Sequence, residues 1–538
     1  MNNMQRRVFL KSAGLGLAGT AIFPRLGRSE TSIIQDVQSN ADITSRPNVL
    51  IFMTDQQRGD TVLPEARMKA QTPVLDEFRK SAVTFTNAYC PSPHCCPSRA
   101  TFFTGLYPTE HGVWNNVNVP NALTRGLKPE VRPWSLDLAE SGYRLLFSGK
   151  WHVSNYQMPA DFGWSQVYPA GNRKTGMQGP AEQERLATAR GWETLRKNAS
   201  LDPKVGLRKP GEIIRPGYNQ YIHYGSNENP FSDAAVVEQA IEMMTRATQE
   251  NDPWVLYAGT LGPHDPYMPP ARFLDLYKDL PIGLPASFQD KMLDKPALYR
   301  RTRDRFAQLS ENEHKEAIRH YLAFCSYEDY LFGRLLAALK RTGQYDNTII
   351  VYLSDHGDYA GEHGLWTKGL PSFRSAYNIP ALVSHPHLPT AVRGTICDAF
   401  VTLTDFGPTI MEWTRTRCST KFSGRSLTPL LQGRQPTDWR DFICFQSNGN
   451  ETYGIQRSIQ TEQWKFVYNA FDYDELYDLK NDPHQMINLA TDPKFKAVVK
   501  MLYTRMWQFA YAHQDQLTDT YITTALATYG PGIAWLNE

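Results

Sequence analysis

Three long apolar runs constrain this chain more than any other feature. Asn48-Val49-Leu50-Ile51-Phe52-Met53, Trp254-Val255-Leu256-Tyr257-Ala258 and Ile349-Ile350-Val351-Tyr352-Leu353 lack the polar alternation of a half-exposed strand. Strands buried on both faces of a parallel sheet require that composition. Each run leads into a polar cluster: Thr54-Asp55-Gln56-Gln57, Gly262-Pro263-His264-Asp265 and Ser354-Asp355-His356-Gly357-Asp358. A shorter run, Leu145-Leu146-Phe147, leads into Ser148-Gly149-Lys150-Trp151-His152.

Helical patterns separate these runs. Residues 233–247 carry Ala235, Val236, Ala240, Ile241 and Met244 behind Ser232 as the expected cap. Residues 314–341 form the longest amphipathic stretch, ended by Gly343. Strands alternating with helices predict an α/β fold, a large mostly parallel sheet sandwiched by helices, over residues 47–438. Ligands of such sheets bind beyond the carboxyl ends of the strands, where the four polar clusters converge. From about Trp439 short strand patterns (Phe442 to Phe445, Tyr453 to Ile459, Trp464 to Tyr468) precede a helical stretch at about 492–513. These predict a smaller C-terminal α+β domain, antiparallel sheet plus helix, over 439–538.

The first 28 residues read as an export signal. Gln5-Arg6-Arg7-Val8-Phe9-Leu10-Lys11 precedes a short small-residue run from Ser12 to Pro24, too short to span a bilayer. The paired arginines are of the twin-arginine type, which implies a periplasmic or secreted protein and an export machinery as partner. Residues 29–46 are polar and irregular, a linker. No other stretch is apolar enough to cross a membrane. The net charge is +2, with no long block of one sign, so nothing points to nucleic acid or a charged membrane surface.

The most informative stretch is Cys95-Cys96-Pro97-Ser98-Arg99-Ala100-Thr101-Phe102-Phe103-Thr104-Gly105. Pro97 suits the first position of a helix and Gly105 its C-cap, which puts Cys95 just before a helix N-terminus. That end attracts anions, favours a thiolate, and sets Arg99 one turn in, where it can fork onto an oxyanion. Two structural readings compete. Cys90, His94, Cys95 and Cys96 could make a zinc knuckle, though the spacing is poor; a Cys90–Cys96 disulfide would leave Cys95 free. The chain has seven cysteines, so one thiol stays unpaired unless chemistry consumes it.

Cys95-x-Pro97-Ser98-Arg99, with Thr104-Gly105 and Leu106-Tyr107-Pro108, resembles the signature of type I sulfatases of the alkaline phosphatase superfamily. The likeness extends through Asn48 to Asp55, Gly149-Lys150-Trp151-His152, Pro263-His264, Ser354-Asp355-His356-Gly357, Lys368, Glu475-Leu476-Tyr477-Asp478-Leu479 and Asn481-Asp482-Pro483. The resemblance implies hydrolysis of sulfate esters after a formylglycine-generating maturation enzyme oxidises Cys95 to Cα-formylglycine. Cys95 rather than Cys96 is the target, because Pro97 must stand two positions after it. The resemblance also implies a divalent metal, Ca²⁺ first and Mn²⁺ or Mg²⁺ as alternatives, on Asp55, Gln56, residue 95, Asp355 and His356. Many relatives carry aspartate and asparagine where this chain has Gln56 and His356, a change that removes one negative charge.

By the same resemblance His152 assists sulfate release, Arg99 and Lys150 hold the formylglycine, and His264 and Lys368 bind sulfate and help the leaving alcohol depart. His111, His363, Asp358 and Arg374 lie near the motifs and are weaker candidates for substrate contact. The expected substrate is a sulfated carbohydrate, an inference from export. The rival enzyme is a phosphonate or phosphate monoester hydrolase of the same superfamily; a sugar-binding protein with a dead site and an ordinary thiol nucleophile at Cys95 are the remaining alternatives.

Overall fold

In the computed structural model the buried runs are adjacent strands of one eight-stranded sheet. In chain order its strands are β1 (Asn48–Thr54), β2 (Val83–Phe85), β3 (Arg144–Gly149), β4 (Gln166–Tyr168), β5 (Trp254–Gly259), β6 (Thr348–Ser354), β7 (Ala381–Ser384) and β8 (Ile396–Cys397). Their order across the sheet is β8-β2-β7-β6-β1-β5-β3-β4. Every pairing is parallel except those of β7 with β2 and β6. The structure describes residues 46–119, 121–169, 208–214, 220–250, 252–450, 452–518 and 521–536, with Glu193 and Arg196. The expected export signal at 1–28 lies outside the described residues, as does the lead-in at 29–46 save for Arg46.

Register is what builds the site. Met53 pairs with both Gly259 and Leu353, Thr54 with Ser354, and Gly149 with Gly259. The central strands therefore end level, and Asp55, Lys150 and Asp355, each the first residue past its strand, emerge on one rim. Gly149 at φ +101° permits this closeness, since a Cβ there would lie 1.9 Å from the Gly259 carbonyl oxygen.

Both faces of β1 are covered. Val49, Ile51 and Met53 enter one core with Phe102, Phe103 and Trp134; Leu50 and Phe52 enter the other with Val237, Leu331 and Phe332. The first face carries helix α1 (Cys95–Thr104); the second carries α2 (Asp233–Ala247) and α3 (Glu311–Arg341). Helix α3 begins three residues before the expected stretch because Ser310 and Glu313 form a reciprocal capping box. Ser232 stands at the N-cap of α2, but it has φ 61° and its hydroxyl caps nothing. Buried Asp233 instead accepts from the Leu261 and Gly262 N–H groups.

The C-terminal region is an antiparallel sheet of β9 (Phe442–Gly449), β10 (Tyr453–Thr461), β11 (Trp464–Asn469) and β12 (Glu475–Asp478), followed by α4 (Lys496–Ala512). Its core joins Ile459, Phe466 and Leu476 to Leu502, Tyr503 and Trp507. Arg457 on β10 is clamped to Asp515 by bonds of 2.5 and 3.1 Å, with side-chain exposures of 3% and 0%. Removing one member strands a buried charge, which typically costs about 3–5 kcal/mol. Asp515→Ala is therefore expected to lower the urea midpoint sharply, and an unchanged midpoint would refute the clamp. Among the described residues no helix is long and apolar enough to cross a membrane.

Candidate active site

Helix α1 starts at Cys95 itself, with His94 as N-cap, so Pro97 is the third helical residue rather than the first. The amides of a first turn have no intrahelical acceptor, and proline is tolerated there. Gly105 ends the helix at φ 70°, as expected. All seven cysteines are free thiols, which removes the Cys90–Cys96 disulfide. Among the described residues the one metal-like cluster is Asp55, Cys95, Asp355 and His356 rather than a knuckle of Cys90, His94 and Cys96.

The donor atoms of that cluster lie within 4.8 Å of one another. Cys95 Sγ is 3.2 Å from His356 Nε2 and 3.6 Å from Asp55 Oδ1; His356 Nε2 lies 3.8 Å from Asp55 Oδ1 and from Asp355 Oδ1. His356 Nδ1 is turned to the Gly357 carbonyl at 2.9 Å, which leaves Nε2 facing the centre. Two carboxylates and an imidazole converging on a buried point suit a divalent cation, with oxygen donors favouring Ca²⁺ or Mg²⁺ and the nitrogen favouring Mn²⁺.

Arg99 is wholly buried and its fork is directed at protein carboxylates rather than at an incoming oxyanion. Its Nη2 donates to Asp55 at 2.9 Å, Nε to Asp355 at 2.8 Å and Nη1 to the Lys150 carbonyl at 3.0 Å. Lys150 Nζ reaches Asp55 Oδ2 at 2.5 Å. Burial and the Cys95 sulfur push the Asp55 carboxyl up, but Lys150 and Arg99 prevail and hold it well below the usual carboxylate range. Asp355 is raised by burial and by the neighbouring Asp55 charge. Burial opposes ionisation of the Cys95 thiol, yet Lys150, Lys368 and His356 bring it well below an ordinary cysteine.

Gln56 adopts φ 66°. Its amide nitrogen donates to Asp358 at 2.5 Å and to Asp265 at 3.2 Å, and its oxygen accepts from Lys368 Nζ. Lys368 Nζ also meets His264 Nε2 at 2.6 Å, while His264 Nδ1 is held by the Asp265 carbonyl at 2.5 Å. His152, at φ 54°, points Nε2 at Asn118 Oδ1 at 2.9 Å. Cys95, Lys150, His152, His264 and Lys368 all line one cavity of about 880 Å³, together with Asn116, Asn118 and Arg305.

The four weaker candidates stand apart from that cavity. His111 is buried between Thr101 and Val113, and burial followed by Lys128 lowers its pKa to about 3. His363 stacks on Phe373 and bonds Asp290 at 2.8 Å. Arg374 is exposed. Asp358 supports the site from behind, accepting from Gln56 and from Tyr267 at 2.6 Å. Asp265 and Asn118 are the contributors that sequence reasoning left without a role. Asp265 adjoins His264 in a quoted motif, whereas nothing about the run Asn115-Asn116-Val117-Asn118 marks its last member.

The chain as a whole matches a known family. A model described as "Sulfatase" matches residues 47–416, and the chain belongs to the sulfatase family of the alkaline phosphatase superfamily. A second model, "N-sulphoglucosamine sulphohydrolase, C-terminal", matches residues 361–512. A choline-sulfatase of Rhizobium meliloti is 28% identical, with 84% of each chain covered. Among solved structures, a protein complexed with its substrate D-glucosamine-2-N,6-O-disulfate aligns with TM-score 0.66 at 20% identity, covering 88% of this chain and 99% of that one. A phosphonate monoester hydrolase of Agrobacterium radiobacter aligns with TM-score 0.67 at 22% identity, covering 87% and 96%.

Proposed function

We propose that this chain is an exported sulfatase acting on sulfate esters of carbohydrates, with Cys95 matured to formylglycine and a divalent cation, Ca²⁺ first, beside it. The observation that carries this reading is the placement of Cys95. Its sulfur lies among the Asp55, Asp355 and His356 donors, and Cys95 lines one cavity with Lys150, His152, His264 and Lys368. The export signal, the carbohydrate substrate and the maturation enzyme rest on the sequence reading and on the sulfated-sugar relatives.

Asp55, Asp355, His356 and the oxygen at position 95 would hold the cation, and Gln56 would complete the set through the oxygen that Lys368 holds. A cation held there would supply positive charge against the sulfate oxygens. A hydrated formylglycine offers two hydroxyls on one carbon, one to attack sulfur and one to surrender a proton when sulfate leaves. Arg99, bonded to both carboxylates, holds Asp55 and Asp355 in alignment. Lys150 and Lys368 offset the charge that gathers on the sulfate oxygens, and His264 or Lys368 supplies the proton to the leaving alcohol.

Chelation is expected to remove activity and Ca²⁺ to restore it. Asp355→Asn should lose metal and turnover together, read by metal analysis of the purified variant. Recovery only with Mn²⁺ would assign the site's preference to His356, and full activity in metal-free enzyme would reject the ligand set.

A second reading, hydrolysis of phosphonate monoesters, is favoured by His356 and Gln56 at positions where many sulfatases carry other residues, and by the likeness to a phosphonate monoester hydrolase fold. Rates on a sulfate and a phosphonate ester of the same phenol decide between them; a higher kcat/KM on the phosphonate would displace the sulfatase reading.

A further inference from the structure

His152 lies 57 residues beyond Cys95 in the chain, yet the two line the same cavity. It reaches that place from β3 through a left-handed backbone turn at φ 54°, a conformation that a non-glycine residue keeps only where the surroundings enforce it. The two ring nitrogens meet different environments. Nε2 is 2.9 Å from Asn118 Oδ1. Nδ1 is buried and has no hydrogen-bond partner in the protein. A neutral imidazole carries one N–H, and the nitrogen beside a carbonyl acceptor keeps it. Nε2–H donating to Asn118 therefore leaves the lone pair on Nδ1, inside the site.

We propose that Asn118 is a positioning residue that selects the His152 tautomer needed to expel sulfate. The inference rests on the formylglycine sulfatase reading. Once one oxygen of the hydrate is bonded to sulfur, Nδ1 removes the proton from the second hydroxyl. The electron pair left on that oxygen re-forms the carbonyl, the bond from carbon to the sulfate oxygen breaks, and sulfate leaves with the pair of that broken bond. His152 carries the proton until solvent takes it. With the opposite tautomer Nδ1 would carry hydrogen and could accept nothing.

Asn118 lies in an exposed turn and its side chain meets His152 at the mouth of the cavity, so replacing it leaves the core untouched. The test uses the matured enzyme and 4-nitrophenyl sulfate. Asn118→Leu is expected to lower kcat roughly 10–100-fold with KM unchanged or lower, a part of the 10²–10⁴-fold available to a general base. Because nitrophenol departs before the slowed step, a burst of one nitrophenolate per active site should appear. Asn118→Asp keeps an oxygen acceptor and should restore most of kcat. In a His152→Ala background, Asn118→Leu should cost nothing further. A second readout is independent of turnover: with ¹⁵N-labelled histidine, His152 should show a protonated Nε2 in the parent enzyme and mixed tautomers in Asn118→Leu.

A rise in KM at constant kcat would make Asn118 a substrate contact and overturn the proposal. So would equal losses in the Leu and Asp variants, or a protonated Nδ1 in the parent. Failure of the sulfatase reading would look different, because the parent itself would then lack turnover on the sulfate or retain an intact thiol at Cys95.

Discussion

Replacing Cys95 with alanine is expected to abolish turnover, a fall of about 10⁴-fold or more, the scale on which loss of a covalent nucleophile acts. Cys96→Ala should retain substantial activity. Cys96 is fully buried, and its sulfur accepts from the Val117 N–H at 3.3 Å, away from the cation cluster. The check is chemical as well as kinetic. The tryptic peptide ending at Arg99 should be lighter than its sequence mass by the difference between a thiol and an aldehyde, with the loss at Cys95. An intact thiol there in fully active enzyme would sink the mechanism, and an aldehyde at Cys96 would move the nucleophile by one residue.

His264 presents the second large effect. Its Nε2 meets Lys368 Nζ at 2.6 Å and its Nδ1 is anchored to the Asp265 carbonyl, so the two groups meet at the cavity wall. If His264 protonates the departing oxygen, His264→Ala should harm sugar sulfates far more than nitrophenyl sulfate, whose phenolate leaves unaided. General acid help is worth about 10²–10⁴-fold, and the gap between substrates should be of that order. Lys150→Ala, which removes charge rather than a proton donor, should cost both substrates alike. Equal losses for His264→Ala would restrict it to binding sulfate, while a selective loss in Lys368→Ala would transfer the acid role to the lysine.

The parallel sheet was legible because burial on both faces leaves a plain mark: Val49 to Met53 and Ile349 to Leu353 have nowhere polar to point. Most of the rim was legible for a related reason, since Asp55, Lys150 and Asp355 follow their strands directly and strand order brings those ends level. The role of Arg99 was less so. Its motif says that a cation stands one turn into α1, but only the folded register reveals that it bridges Asp55 and Asp355. The cap of α2 was misread, because Ser232 has the right chemistry but its left-handed backbone turns the hydroxyl away, while Asp233 ties α2 to the loop carrying His264. Asn118 left no mark at all. Its partner is 34 residues away, and no local pattern records a contact between two loops.

The side chain of Cys95 is only 1% exposed, and every residue of α1 is buried. A sulfate ester needs to reach one atom, whereas the proposed maturation of Cys95 would require an enzyme to handle the peptide around it. That peptide lies open only in a chain that has not yet folded. Maturation and folding are then rivals in time, and a molecule that folds first is sealed as a thiol with the same sheet and the same surface. Purified material would then be a blend of two species, and its specific activity would record the outcome of a race inside the producing cell.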